Sequence, residues 1–385
     1  MVQQEPFYVE QFMDQYEQGI KFNMGETCVD SLSVMSLIEL ADPSPRRDSI
    51  ATDLVSTKLT YGDITGSKRL KLGILKLYGP KNEGLQAVVT NGAIGGNFLS
   101  FYSMVGPQDI VIVVDPSYQQ LSSVPRVFSG TETIPFPLSF EDKFLPNLDL
   151  LEELMDKHQA RLKMVVINNP NNPTGVVWGD SIMRQIVDLC RARDVWFMCD
   201  EVYRPLYLST EDVPDSVVNY GYDKTISTSS ASKAFSLAGV RLGWIVTPNA
   251  ELAKDLLNKR DYNTISILVL DDLVASLALE NAANIMKRNY NICKTNLELI
   301  SDFVDKNSQL DWIRPSGGST CFLKVNVPGI ETLDLCKDLA TKYSTLIVPG
   351  EVFGHPGFLR IGFGNSTSDI EGGLRNLGAY LQNLK

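Results

Sequence analysis

Between residues 86 and 250 the chain alternates two patterns. Short runs, nearly all apolar, fall at 86–90, 110–115, 163–168, 195–199, 225–228 and 242–247. They do not alternate polar with apolar positions, so they predict strands buried on both faces, as in a parallel sheet covered by helices. Stretches of helical period at 148–160 and 180–193 separate several of them. That order predicts an α/β domain. From about residue 250 the pattern changes to a long helical stretch over 249–307 and a Gly317-Gly318 turn. A strand at 321–325, a helix at 331–343 and two short strands near 346–348 and 358–361 follow. This predicts a smaller α+β domain, with residues 1–30, read as a short helix and an arm, packed beside it. Residues 43–49 form a polar break. The expected organisation is therefore an arm and part of the small domain at 1–40, a large domain at 41–270 and a C-terminal small domain at 271–385.

Length and composition agree with two domains. At roughly 100–200 residues per domain, 385 residues exceed one ordinary core, and 44% hydrophobic with 21% charged residues is a globular balance. The net charge of −11 argues against a nucleic-acid partner, which requires a basic face, and against docking on anionic membranes. A few local donors can still hold an anion. Six scattered cysteines without a CxxC pair predict reduced thiols. There is no basic region followed by an apolar run at the N-terminus and no apolar run long enough to span a bilayer, so a cytoplasmic protein is expected. Only His158 and His355 are present, which disfavours a histidine-rich metal site or a Ser-His-Asp triad, and no metal is expected.

The informative polar residues sit at the C-terminal ends of the apolar runs, the edge where open α/β sheets bind ligands. Thr90-Asn91-Gly92-Ala93-Ile94-Gly95-Gly96 reads either as a plain strand-to-helix turn or as an anion cradle of free N–H groups at a helix start. Its spacing is not GxGxxG, so a dinucleotide fingerprint is unsupported. Asn168-Asn169-Pro170-Asn171-Asn172-Pro173-Thr174-Gly175 is either a breaker turn or a rigid loop aiming an amide. Asp200-Glu201-Val202-Tyr203 places a carboxylate after a strand, as a helix N-cap or as a buried acid needing a partner. Ser229-Ser230-Ala231-Ser232-Lys233 followed by Arg241 sets a lysine among small hydroxyl residues. It is either a surface lysine or one whose pKa can fall to make it a nucleophile. Together these offer an anion cradle, an amide, a buried acid with a tyrosine, and a lysine with an arginine, the set that pyridoxal phosphate chemistry requires.

In these motifs and their order the sequence resembles the class I and II aminotransferases, the fold-type I pyridoxal-phosphate enzymes, over nearly its whole length. The resemblance implies a Schiff base on Lys233, with Asp200 at the pyridine nitrogen and Tyr203 and Asn172 at the ring's 3′ oxygen; Lys233, Asp200 and Tyr203 would be the catalytic set. Tyr118, in Asp115-Pro116-Ser117-Tyr118, matches the residue that stacks on the ring. Gly92, Ala93 and Ile94, with Ser230, Ser232 and Arg241, would hold the phosphate. Arg360 would grip the substrate α-carboxylate, a pairing its planar fork suits. Asn172 and the loop residues Gly25 and Glu26 would touch substrate. Tyr61 matches a tyrosine that reaches the neighbouring subunit's phosphate, which implies a homodimer with shared sites. The N-terminal loop Asn23-Met24-Gly25-Glu26-Thr27-Cys28 departs from the family's usual Gly-Glu-Pro, and no second arginine for a dicarboxylate can be placed. The segments 260–266 and 348–354 look similar to the branch that includes capreomycidine synthase, a cyclase of a modified arginine. The expected activity is transamination between an L-α-amino acid and a 2-oxo acid. The alternative is a lyase or cyclase, like capreomycidine synthase, acting at Cβ or Cγ of a modified, arginine-derived amino acid. A non-catalytic sensor is disfavoured, because only a short acidic arm precedes the domain.

Overall fold

The computed structural model describes residues 4–41, 47–80, 82–209 and 211–383. Its centre is a seven-stranded sheet in the order Gln86–Asn91, Leu242–Thr247, Thr225–Ser230, Trp196–Asp200, Leu162–Asn168, Ile110–Asp115 and Glu132–Pro137. Leu242–Thr247 runs antiparallel to both its neighbours; the remaining pairs are parallel. The apolar runs become strands because helices cover both faces and side chains of either parity are buried. Ile110–Asp115 and Thr225–Ser230 are buried almost throughout. Asp180–Ala192 shows the matching helical logic: Met183, Ile186, Val187 and Cys190 recur at i, i+3, i+4 and i+7 and are the residues it buries.

Parallel register sets the later chemistry. Asn168 stands opposite Asp200, and Asp200 opposite Thr228. Three polar side chains from three strands therefore end in one row at the C-terminal edge. The Gly92–Met104 helix leaves the first strand at that same edge.

The second part of the fold is a four-stranded antiparallel sheet ordered Val348–Pro349, Phe358–Gly362, Thr320–Val325 and Leu310–Trp312. Helices Ala282–Asp305, Thr332–Tyr343 and Thr367–Gln382 belong to it. The N-terminal arm joins it through a parallel pairing of Phe22–Asn23 with Thr345–Leu346. Among the described residues no helix is long and apolar enough to cross a membrane.

Three features differ from the sequence reading. Glu132–Pro137 is a strand that went unread, because Pro135 and Pro137 mask it. It is an edge strand with one neighbour, the setting in which proline is tolerated. The helical stretch over 249–307 is three helices, Ala250–Arg260, Val269–Glu280 and Ala282–Asp305. The first two are separated by a loop in which Ile265 has φ 54°. The polar break at 43–49 lies mostly outside the described residues, and a helix begins at Arg47.

That loop is tied down by Arg260, which is 1% exposed. Its guanidinium donates to the carbonyls of Val89 at 3.0 Å, Ile64 at 2.5 Å and Ile265 at 2.9 Å. Arg260→Met keeps the apolar stem but leaves these acceptors without their donor. The expected loss is about 3 kcal/mol of unfolding free energy, read by urea denaturation. A loss below about 0.5 kcal/mol, the size of an ordinary surface change, contradicts this role.

Candidate active site

The strand ends and the small part of the fold enclose a cavity of about 460 Å³. The end of the cavity beside Arg241 is built by close backbone approach. Gly92 has φ 70°, a conformation glycine adopts without strain, and a Cβ there would lie 2.9 Å from the guanidinium of Arg241. Gly243 is tighter still: a Cβ on it would fall 2.2 Å from the backbone of Gly92. The first-turn N–H groups of the Gly92–Met104 helix lack intrahelical acceptors, and Asn91 supplies no side-chain cap. Ala93 and Ile94 of that turn line the cavity with Ser230, Ser232 and Arg241. Arg241 donates to the Ala238 carbonyl at 2.8 Å and to Ser232 Oγ at 3.4 Å.

On the floor is Asp200, 4% exposed. No helix follows it, so the N-cap reading fails. Its Oδ2 accepts from Asn97 Nδ2 at 3.0 Å and its Oδ1 from the Val202 N–H at 3.1 Å. Asn97 is oriented in turn by Thr228 Oγ1, which donates to its Oδ1 at 2.6 Å. Burial pushes the Asp200 carboxyl up to about 6, with Glu201 adding to the shift while the two hydrogen bonds and Lys233 oppose it. A buried acid in this state favours a ligand that brings a positive charge or a proton. Glu201 is different. It accepts from Ser216, Ser227 and the Val217 N–H, faces Arg204, and holds loop to strand outside the cavity.

Lys233 reaches the middle of the cavity. Its Nζ lies 3.3 Å from Cys28 Sγ and 3.5 Å from Glu26 Oε1. Burial works against its charge, but the surrounding Cys28, Glu26, Tyr203 and Tyr118 outweigh burial and raise its pKa. The sign is opposite to the fall expected for an activated lysine, because an acid faces it. Burial alone would raise Glu26 too. Lys233 and the N–H groups of Cys28 and Thr27 hold it at about 2 instead. Burial raises the Cys28 thiol to about 11, so the neutral thiol stands beside the lysine.

The asparagine-proline loop divides its labour. Asn169 brackets Trp178, and Asn171 ties Thr174 to the Pro116 carbonyl. Asn168 donates to the Asp200 carbonyl and accepts the Asn172 N–H. This leaves the Asn172 side chain to meet Arg360, whose Nη1 lies 3.5 Å from Asn172 Oδ1. Arg360 is 3% exposed, donates from Nη2 to the Gly25 carbonyl at 2.8 Å, and buries an Nε with no partner. Tyr203 is buried with Gly318 against its ring. Tyr118 donates to Glu10 Oε1 at 2.7 Å.

The structure thus gathers Gly25, Glu26, Ala93, Ile94, Tyr118, Asn172, Asp200, Tyr203, Ser230, Ser232, Lys233, Arg241 and Arg360 around one cavity, with Gly92 behind Arg241. Tyr61 is not among them. It is 69% exposed and lines a separate apolar groove with Leu59 and Leu268. The sequence reading missed Asn97, Cys28 and the acids Glu10, Asp14 and Glu17. A buried asparagine inside an apolar helix was a usable signal for Asn97. Nothing local marked the others.

Residues 17–377 match the family model described as aminotransferase class I and II. Capreomycidine synthase of Streptomyces vinaceus is 29% identical over 81% of this chain and 78% of its own. An aspartate aminotransferase of Thermotoga maritima is 28% identical over 88% of each chain. The crystal structure of a PLP-dependent aminotransferase from Streptococcus suis superposes with a TM-score of 0.92 at 34% identity, covering 100% of this chain and 99% of that one.

The raised carboxyl has a measurable consequence in the cofactor-free protein. The folded value lies above the unfolded 3.8, so between the two the folded state holds the extra proton and stability falls as pH rises. Relative to Asp200→Asn, which removes the titration, wild-type unfolding free energy should fall by about 2 kcal/mol between pH 4 and 7. A difference independent of pH contradicts the burial of this charge.

Proposed function

The chain belongs to the class I and II aminotransferases, and on that premise we propose that it transfers the α-amino group of an L-α-amino acid to a 2-oxo acid, using pyridoxal 5′-phosphate held at Lys233. The observation that carries the reading is the single cavity in which Lys233, Asp200 and Arg360 meet.

The residues fit the cofactor. The close backbone approach that Gly92 and Gly243 allow brings Arg241 and the free first-turn N–H groups together at one end of the cavity, the donors a phosphate requires. Asp200 is a buried acid in want of a proton-bearing partner, which a pyridine nitrogen supplies. When bound, pyridoxal phosphate is an electron sink that stabilises negative charge at the substrate α-carbon. Tyr203 and Asn172 would hold the ring oxygen, and Tyr118 would stack on the ring. Arg360, with its unpartnered Nε, would take the α-carboxylate as a planar pair. The Lys233 Nζ would act as the general base at the α-carbon and would carry that proton to the cofactor carbon on the far side of the amino nitrogen. Glu26 beside it favours the ammonium form between these transfers.

A second reading changes the outcome but not the machinery. Similarity to capreomycidine synthase supports loss of a substituent at Cβ or Cγ followed by ring closure. We also infer a homodimer. Leu59, Tyr61, Leu268 and Leu270 are exposed around one groove, an apolar surface that a second copy would cover. Tyr61 would then reach the partner's phosphate site. Six buried, unpaired cysteines support a reducing compartment such as the cytoplasm.

Lys233→Ala is expected to lower turnover by at least about 10⁴-fold, and activity within tenfold of wild type contradicts the assignment. Adding single amino acids without a 2-oxo acid should convert the bound cofactor to its amine form, measured by chromatography of the released cofactor. Product formed with no amine form favours the lyase or cyclase reading. Light scattering should give twice the 42.7 kDa chain mass. Tyr61→Phe should weaken cofactor binding without changing that mass.

A further inference from the structure

Helix Tyr8–Tyr16 forms one wall of the cavity, and its charges run against helix physics. Glu10, Asp14 and Glu17 recur at i, i+4 and i+7, so they share a face, and all three line the cavity. Like charges at this spacing repel. Asp14 and the C-cap residue Glu17 also stand at the negative end of the helix dipole, where cations are favoured, and the last turn holds no base. Glu17 is pushed above the ordinary carboxylate range by partial burial first, then by Asp14, Glu26 and Glu10. Local stability therefore does not explain the arrangement.

No cation of the protein answers it. Among the described residues none of the three acids is in an ion pair, and Glu10 accepts only the Tyr118 hydroxyl. The cations of the cavity are engaged elsewhere: Lys233 with Glu26, Arg241 with Ser232 and the Ala238 carbonyl, and Arg360 with the Gly25 carbonyl. The same cavity presents the buried, unpartnered Nε of Arg360, a donor that fits a carboxylate. One wall thus asks for an anion and another for a cation.

We propose that this site takes an α-amino acid with a cationic side chain, a guanidinium or an ammonium. Arg360 receives the α-carboxylate, and Asp14 and Glu17 receive the side-chain cation. The proposal rests on the amino-acid reading of the site given above and adds the substrate class. A carboxylate side chain is repelled by the same wall, and a neutral one gains nothing from it.

Binding can be read separately from reaction. Two carboxylates that lack an α-amino group, 5-guanidinopentanoate and heptanoate, are titrated calorimetrically into the holoenzyme. The guanidino acid should bind at least about tenfold more tightly, a difference that Coulomb attraction to two carboxylates, the exposed Asp14 and the half-buried Glu17, can supply. The double variant Asp14→Asn, Glu17→Gln should erase the difference while leaving heptanoate unchanged. Equal binding of the two probes, or an equal effect of the variant on both, overturns the proposal. So does conversion of the cofactor to its amine form by methionine or aspartate in preference to arginine and lysine, a result that leaves transamination standing. Preferential binding of the guanidino acid with no amine form from any amino acid upholds the cation site and sinks transamination instead.

Discussion

The constraint on which the site depends is the burial of a carboxylate at a strand end. Asp200 lies between Asn168 and Thr228 in parallel register, and each neighbour acts on it. Asn168 holds its backbone carbonyl, and Thr228 orients the Asn97 amide that holds its side chain. Two hydrogen bonds do not replace full hydration, so the carboxyl stays above its ordinary value. The fold carries a stored electrostatic cost that a proton-bearing ligand relieves. This is how an apolar sheet core comes to favour one kind of guest.

The other charges arrange themselves around that floor. Lys233 is kept cationic by Glu26, and Glu26 is kept anionic by Lys233 and two backbone N–H groups. Arg360, lowered by burial yet still a cation, is stabilised by the Gly25 carbonyl and by the face of Phe353, 5.3 Å from its guanidinium. Gly25 and Glu26 thus hold two of the cavity's three cations, Arg360 and Lys233, from one short loop, which the Phe22–Asn23 pairing fixes to the small part of the fold. The N-terminal arm is a working part of the cavity, and it supplies the acidic wall as well.

The sequence disclosed what is chemically concentrated. Lys233, Asp200 and Asn172 were legible because polar residues at the ends of apolar strands are conspicuous; Arg360, inside the strand Phe358–Gly362, was singled out only because its surroundings resemble a known family. The mostly parallel sheet was legible for the same reason, since strands buried on both faces read as unbroken apolar runs. Glu132–Pro137 escaped because an edge strand tolerates proline. The breaks inside 249–307 escaped because helical period survives a loop whose geometry is set by a distant anchor, Arg260. Asn97, Cys28 and the acids of the first helix were hidden for a third reason: only tertiary packing brings them to residues more than a hundred positions away.

The central claim is that Lys233 is the nitrogen that holds the cofactor. Borohydride treatment of the purified holoenzyme fixes the cofactor to whichever nitrogen carries it, and peptide mass mapping then finds the position. The account predicts one modified residue, Lys233, with label lost in Lys233→Ala. Label on another lysine, or none on a protein shown to contain the cofactor, contradicts it.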